Sequence, residues 1–204
     1  MTKFLFLSIF FFTWFSFNVN ADAKPVKKKK EMTTSNDTAK KTETALLAGG
    51  CFWGVEELIR TQPGVISTQV GYTGGVIPNP TYEIVKKGTS GHAEAIEIQF
   101  DPQKTSYENI LKYFFKIHDP TTLNQQGNDR GSQYRSAIFF LSPDQEITAK
   151  KVKELVDASG AWKKPVVTEI VAAGPFYSAE TYHQDYLQKN PGGYTCHWVR
   201  DIKF

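Results

Sequence analysis

Apolar and polar positions follow two different periods between residue 44 and the C-terminus. Short apolar stretches bounded by glycine, proline or polar residues predict strands at residues 44–48, 65–70, 93–100, 134–141 and 165–172. Helical spacing and capping signals predict helices at residues 51–60, from 105 onward, at 142–160 and at 178–187. Strands and helices that interleave in this way predict a two-layer α+β fold, with helices packed against a mixed sheet.

One predicted strand carries a carboxylate on its apolar face. The side that holds Glu94 is otherwise apolar, with Ile96, Ile98 and Phe100, whereas Glu97 lies on the opposite side. Burial on the apolar face would raise the pKa of Glu94 and keep it protonated at neutral pH, as a general acid requires. Alternation leaves a second interpretation equally open, because Glu94 is near the strand end and its side chain could reach water.

The stretch from residue 119 to residue 133 is long, polar and without a periodic pattern. Loops of more than about 12 residues inside a compact domain are usually functional or disordered. Because this one contains Asp129 and ends next to Tyr134, we interpret it as part of a binding site. A plain surface loop is the alternative.

The first 23 residues have the pattern of a signal peptide. Lys3 precedes an apolar run at residues 4–17, and small residues follow, so that cleavage after Ala21 or Ala23 fits. The run is shorter than the roughly 20 apolar residues that span a bilayer, which favours cleavage over an uncleaved membrane anchor. The protein is therefore expected to be exported, either to a periplasm or out of the cell.

Residues 24–42 are predicted to form a disordered, lysine-rich linker, and residues 43–204 the folded domain. Residues 1–41 carry eight lysines and three acidic residues, whereas residues 42–204 carry sixteen lysines and arginines and eighteen acidic residues. The positive charge thus belongs to the N-terminal segment. In an exported protein such a cluster is better interpreted as a solvated spacer than as a nucleic-acid site.

The chain has two cysteines, Cys51 and Cys196. Cys51 lies between two glycines where a predicted strand meets a predicted helix, and the start of a helix favours a thiolate. A small buried hydrophobe is the ordinary alternative for such a cysteine. Export makes a structural disulfide the default for the pair, although a domain of this size needs no such staple. No metal site is predicted, because ligand-type spacing is absent among His92, His118, His183 and His197.

Seven short motifs occur in order along the predicted domain. They are GCFWG at residues 50–54, GYTGG at 71–75, GHAE at 91–94, HDPT at 118–121, QGNDRGSQYRS at 126–136, YHQ at 182–184 and NPGGY at 190–194. Together they resemble the A-type peptide methionine sulfoxide reductases from about residue 44 to the C-terminus. The resemblance implies that family's α+β sandwich, with a ferredoxin-like core and a long irregular C-terminal tail.

The resemblance also implies roles for individual side chains. Cys51 attacks the sulfoxide sulfur and Glu94 supplies a proton to the sulfoxide oxygen. The remaining implied site residues bind the substrate: Phe52 and Trp53 around its methyl group, Tyr82 and Tyr134 at its oxygen, and Asp129 at its backbone. Each of these five has an ordinary alternative as a packing or loop-forming residue. His183 receives no role.

The cycle implied by the resemblance ends with Cys196. This thiol condenses with a sulfenic acid on Cys51, and the resulting disulfide is reduced by a thioredoxin-like dithiol. Cys196 follows a glycine-rich segment that is expected to swing inward. Some relatives carry a further recycling cysteine, and this chain has none, so direct reduction is expected. The resemblance implies that the substrate is the S-sulfoxide of methionine, in peptides and proteins and also as the free amino acid. No metal or organic cofactor is expected, and the protein is expected to be a monomer.

Two other classes of protein remain as alternatives. One is an exported binding module in which Cys51 and Cys196 form a purely structural disulfide. The other is a thiol peroxidase or a Cys–His hydrolase, but a hydrolase requires a base oriented against the thiol, and no histidine is marked as that partner.

Overall fold

The computed structural model describes residues 42–204, in which six strands form the main sheet. The strands are β1 (Glu43–Gly49), β2 (Val65–Thr73), β3 (Ala93–Phe100), β4 (Gln125–Gln126), β5 (Asp129–Arg130), β6 (Ser136–Phe140), β7 (Glu169–Ala172) and β8 (Tyr177–Ser178). The helices are α1 (Phe52–Ile59), α2 (Tyr82–Val85), α3 (Tyr107–Ile117), α4 (Pro143–Ala158) and α5 (Tyr186–Lys189), with a 3₁₀ turn at Ser132–Tyr134. The predicted signal peptide and all but the last residue of the predicted linker lie outside the described residues.

The main sheet has the strand order β7-β6-β1-β3-β2-β8. Neighbouring strands are antiparallel except for β6 and β7, which are parallel, so the sheet is mixed. Its inner four strands and two of the helices follow one another as β1-α1-β2-β3-α3-β6, which is the ferredoxin-like order. The predicted α+β sandwich with a mixed sheet and a ferredoxin-like core is confirmed.

The hydrophobic core lies between the sheet and a layer of three helices, α1, α3 and α4. Phe114 and Phe115 of α3 are completely buried, as are Val152 of α4 and Ile98 of β3. Burial of large side chains of this kind contributes roughly 1.5–3 kcal/mol each. The core therefore fixes the positions of β1, β3 and α1 relative to one another. Glu94 lies on β3, and Cys51 lies between β1 and α1.

The C-terminal segment, residues 190–204, contains no helix or strand, as predicted. It returns along the body of the domain, where the Arg200 backbone N–H donates a hydrogen bond of 3.0 Å to the Lys116 carbonyl oxygen at the end of α3. Within residues 42–204, none of the helices combines the length and apolar content of a membrane span.

The prediction of a helix at residues 178–187 is wrong. Only Tyr186–Lys189 is helical, and Asp185 before it has a left-handed φ of 54°. The side chains of this segment bond to distant backbone instead. Gln184 accepts a hydrogen bond from Val70 N–H and donates one to Val70 O, both at 2.9 Å. These long-range bonds outweigh the local helical pattern.

Other predicted boundaries shift by a few residues. The cap of α3 is Ser106, whose hydroxyl accepts a hydrogen bond from Asn109 N–H, and not the predicted capping box that starts one residue earlier. The strand predicted at 134–141 is shorter, because Tyr134 belongs to the 3₁₀ turn, and the one predicted at 165–172 starts only at Glu169. Conversely, β2 continues through Gly71 and ends at Thr73. Residue 71 is a glycine because a side chain there would overlap Phe176 beside β8.

Candidate active site

A small cavity of about 120 Å³ opens at the edge of the sheet where β1 gives way to α1. It contains all but one of the site residues that the sequence predicts, and Tyr194 in addition: its lining is Cys51, Phe52, Trp53, Tyr82, Glu94, Asp129, Tyr134 and Tyr194. These side chains come from α1, α2, β3, β5, the 3₁₀ turn and the C-terminal segment. The fold thus brings together residues that are far apart in the chain.

Cys51 is the residue that immediately precedes α1. Gly50 before it has a φ of 102°, a left-handed conformation that turns the chain sharply out of the strand and that residues with a side chain rarely adopt. The side chain of Cys51 is only 6% exposed. The sulfur is therefore reached through the cavity.

Burial raises the pKa of the Cys51 thiol, and the negative charge of an ionised Glu94 raises it further. A hydrogen bond from Trp53 N–H to the sulfur acts in the opposite direction but is the weaker influence. The amides at the start of α1 thus lower the Cys51 pKa as predicted, but the thiolate that was expected to result is wrong. Desolvation outweighs the helix terminus, so Cys51 rests as a thiol at neutral pH.

Glu94 lies on β3 with its side chain 2% exposed, which settles the choice left open by alternation in favour of the buried position. Its Oε2 accepts a hydrogen bond of 3.1 Å from Phe52 N–H, which ties the carboxyl group to the residue that follows Cys51. Burial raises the pKa of Glu94 to about 8, even though this hydrogen bond acts in the opposite direction. This direction agrees with the predicted protonated acid at neutral pH.

Two phenol groups face the same cavity as Glu94. Tyr82 is the first residue of α2, and Tyr134 is the last residue of the 3₁₀ turn. Burial raises the pKa of both hydroxyls, and the charge of an ionised Glu94 adds to the effect. Both groups therefore stay protonated and can donate hydrogen bonds to an oxygen atom in the cavity.

The apolar wall of the cavity is formed by Phe52 and Trp53. Trp53 stacks on Tyr186, with ring centroids 3.7 Å apart, and its indole N–H donates a hydrogen bond of 3.0 Å to His183 Nδ1. His183 also contacts Phe52, with ring centroids 5.1 Å apart. The sequence assigned no role to His183, although it lies in the motif at residues 182–184. The structure shows that it holds both aromatic side chains in place.

Asp129 lies at the rim of the cavity, and both of its carboxylate oxygens are engaged by the C-terminal segment. Tyr194 Oη donates a hydrogen bond of 3.1 Å to Oδ1, and Cys196 Sγ donates one of 3.3 Å to Oδ2. The sequence missed Tyr194 as a site residue, although it ends the last motif, because a loop residue gives no sign of what it contacts. In this structure Asp129 therefore joins the cavity to the tail.

Cys196 is the one predicted site residue outside the cavity lining, and it lies directly beside Cys51. The Cys51 backbone N–H donates a hydrogen bond to the Cys196 sulfur, and both thiols are free. Burial raises the pKa of Cys196 to about 12, with a further contribution from Asp129. The Cys196 sulfur therefore lies beside the Cys51 backbone in this structure, and the inward swing of the tail that would bring the two sulfurs together stays a prediction.

No metal centre is formed in the part of the chain that the structure describes. Residues 42–204 contain no group of three or more histidine, cysteine, aspartate or glutamate side chains that could hold a metal ion. Of the four histidines, only His197 contacts a cysteine sulfur in this part, and that sulfur belongs to Cys196. The arrangement therefore lacks the base against Cys51 that a Cys–His hydrolase requires.

Comparison with known proteins matches residues 43–203 to the family model described as peptide methionine sulfoxide reductase. The chain belongs to this family. A curated relative, the peptide methionine sulfoxide reductase MsrA of Mycolicibacterium paratuberculosis, is 58% identical over 159 residues, which cover 78% of this chain and 91% of the relative.

Solved structures of the family have the same fold. The reduced form of Mxr1 from Saccharomyces cerevisiae aligns with a TM-score of 0.75 and 37% identity, over 79% of this chain and 93% of the yeast chain. Methionine sulfoxide reductase A of Corynebacterium diphtheriae aligns with a TM-score of 0.72 and 40% identity, over 76% of this chain and 77% of the other. Family membership and the cavity thus point to the same chemistry.

Proposed function

We propose that this protein is a thiol-dependent oxidoreductase that reduces the S-sulfoxide of methionine, in peptides and proteins and as the free amino acid, and so repairs oxidised protein. The observation that carries the proposal is one cavity that holds the Cys51 sulfur, a protonated Glu94 and two phenol groups against an apolar wall. Membership of the peptide methionine sulfoxide reductase family supports the reaction.

In the first step, the substrate methyl group lies against Phe52 and Trp53, and its oxygen lies toward Glu94 and the two phenols. The Cys51 sulfur attacks the sulfoxide sulfur while Glu94 gives its proton to the oxygen. The thiol proton of Cys51 passes to Glu94, which restores the acid. The oxygen then moves from the substrate sulfur to the Cys51 sulfur: the substrate sulfur–oxygen bond and the bond between the two sulfurs break, which leaves a sulfenic acid on Cys51 and releases methionine. Because both groups start protonated, no external proton is consumed.

In the second step, the Cys196 sulfur attacks the sulfenic sulfur of Cys51. A disulfide forms between the two cysteines, and the hydroxyl group leaves with the Cys196 proton as water. A thioredoxin-like dithiol then reduces this disulfide by thiol–disulfide exchange. Cys196 is half-buried whereas Cys51 is buried, so the incoming thiolate reaches the Cys196 sulfur more easily. The protein's own residues carry out both steps without a metal or organic cofactor.

The Cys196→Ser variant should separate the two steps. With the S-sulfoxide of a methionine peptide, the wild type should turn over repeatedly when a dithiol is supplied. Without reductant, the variant should form about one equivalent of methionine and keep a sulfenic acid on Cys51, because the first step needs only one thiol. Quantifying methionine by chromatography and trapping the sulfenic acid for mass spectrometry measure both results.

The R-sulfoxide and the thermal stability of each variant serve as controls for this experiment. The R-sulfoxide should yield no methionine with either protein if the cavity has the proposed specificity. Loss of the first equivalent in folded Cys196→Ser would remove the recycling role from Cys196. If cysteine substitutions lowered only the thermal stability, the binding-module alternative would be correct.

Export is a separate part of the proposal. The basic, apolar and small-residue pattern of residues 1–23 supports a cleaved signal peptide. Peptide mapping of the protein from its native host should find a mature N-terminus immediately after Ala21 or Ala23. An N-terminus that still contains residues 4–17 would instead favour the membrane-anchored alternative.

A further inference from the structure

The glycine at residue 54 lies inside α1, where the backbone does not require a glycine. Its φ is not positive, and glycine within a helix is less favourable than alanine. A methyl group at this position would lie 2.6 Å from His197 Nδ1 and would overlap Thr195 Oγ1. A methyl group on Gly50 would overlap the Gln126 side chain and would lie 3.1 Å from His197 Cε1. The two glycines that flank Cys51 therefore leave a slot that the C-terminal segment occupies.

His197 is the side chain that fills this slot, and it is 6% exposed. Its Nε2 lies 2.7 Å from the Gly49 carbonyl oxygen, which can only accept a hydrogen bond, so Nε2 carries the proton. In the neutral ring, Nδ1 is then an acceptor, and it lies 3.5 Å from Cys196 Sγ. Burial lowers the pKa of His197 to about 4, which agrees with a neutral ring at physiological pH.

The tail has fewer contacts at Gly192 than at His197. Gly192, with a φ of 82°, has open space around it. By contrast, His197 N–H bonds to Thr195 Oγ1 at 3.1 Å, and the ring is bonded to the end of β1. The position of the Cys196 sulfur therefore depends on the anchor formed by Thr195 and His197, with Asp129 on the other side.

We propose that His197 is a positioning residue for the second step, and that its ring, seated in the glycine slot and bonded to Gly49 O, keeps the Cys196 thiol beside Cys51. This inference rests on the proposed function and adds a residue to it. The step itself is unchanged: the bond between the two sulfurs forms, the bond between Cys51 sulfur and oxygen breaks, and water leaves. His197 acts through Cys196 and does not touch the substrate.

The His197→Ala variant tests the proposal in single-turnover experiments without reductant. Methionine should form from the S-sulfoxide at nearly the wild-type rate, because His197 does not line the cavity in which the first step takes place. Disulfide formation should be about 10- to 100-fold slower, as expected when a reacting group is misplaced by an ångström or so. Quenched samples should then show one free thiol lost per methionine, with a trappable sulfenic acid, where the wild type loses two.

Conservative and control variants distinguish positioning from a general loss of structure. His197→Gln keeps an amide N–H that can reach Gly49 O, and it should recover most of the rate of disulfide formation. Lys203→Ala, in an exposed part of the same segment, should change neither step. Gly54→Ala leaves the sequence of the tail unchanged, but its methyl group fills the slot from the other side and should displace His197. Disulfide formation should therefore be slower, as in His197→Ala. The double variant should be no slower than the slower single variant.

Three outcomes would overturn the inference or what it rests on. Wild-type disulfide formation in His197→Ala and in Gly54→Ala would show that the anchor has no positioning role. Loss of the first methionine equivalent in folded His197→Ala would place the residue in the first step instead. Absence of methionine formation in the wild type as well would reject the proposed function itself. Circular dichroism of each variant establishes that it is folded.

Discussion

The Cys51→Ser variant is expected to form no methionine from either epimer of methionine sulfoxide, a loss of about 10⁴-fold or more in the first-turnover rate. A serine hydroxyl is a far weaker nucleophile than a thiol, and it has no sulfur that can carry the oxygen as a sulfenic acid. The measurement is rapid-quench detection of methionine with enzyme in excess over substrate.

The apolar wall and the acid remain in Cys51→Ser, so the substrate should still bind. The change in Trp53 fluorescence when an S-sulfoxide peptide is added reports this binding, because the indole lines the cavity. Cys196→Ser, which should keep the first turnover, is the matched control. Methionine formation by Cys51→Ser would transfer the attack to Cys196, the other cysteine of the chain.

Glu94→Gln is expected to slow the first turnover about 10²- to 10⁴-fold, the usual contribution of a general acid. The amide has nearly the same shape and its oxygen can still accept the Phe52 N–H, so the fold should be retained. It cannot give a proton to the sulfoxide oxygen. Glu97→Gln, on the opposite face of β3, is the matched control and should leave the rate unchanged. A wild-type rate in Glu94→Gln would reject the assignment.

The pH dependence of the first-step rate is a second test of the role assigned to Glu94. The acid form is lost as pH rises through about 8, so the wild-type first-step rate should fall there, and this inflection should be absent in Glu94→Gln. The free energy of unfolding depends on pH with the same sign as the first-step rate. Between about 4.5 and about 8 the native state holds a proton that the unfolded chain has released, so the free energy of unfolding falls as pH rises. Urea unfolding of Glu94→Gln should lack this slope.

Prediction from sequence succeeded where a side chain's surroundings follow from its own segment. The alternation along β3 placed Glu94 with Ile96 and Ile98, and the structure buries all three. It failed at residues 178–185, where the local pattern favoured a helix. There Glu180 accepts hydrogen bonds from Tyr82 N–H and from Tyr72 Oη, and Gln184 bonds to the Val70 backbone, and the local pattern holds no information about these distant partners.

The amino-acid sequence was enough to predict the long strands and helices from β1 to α4, the turn at Cys51 and the apolar side of β3, because each depends on neighbours within a few residues. The protonation states of Cys51 and Glu94, by contrast, depend on packing between distant segments. Depth of burial keeps a proton on Cys51 as well as on Glu94, and local position at the start of α1 does not overcome it. The tertiary structure also decided that the tail inserts His197 beside Gly54, because the packing of distant segments creates that slot.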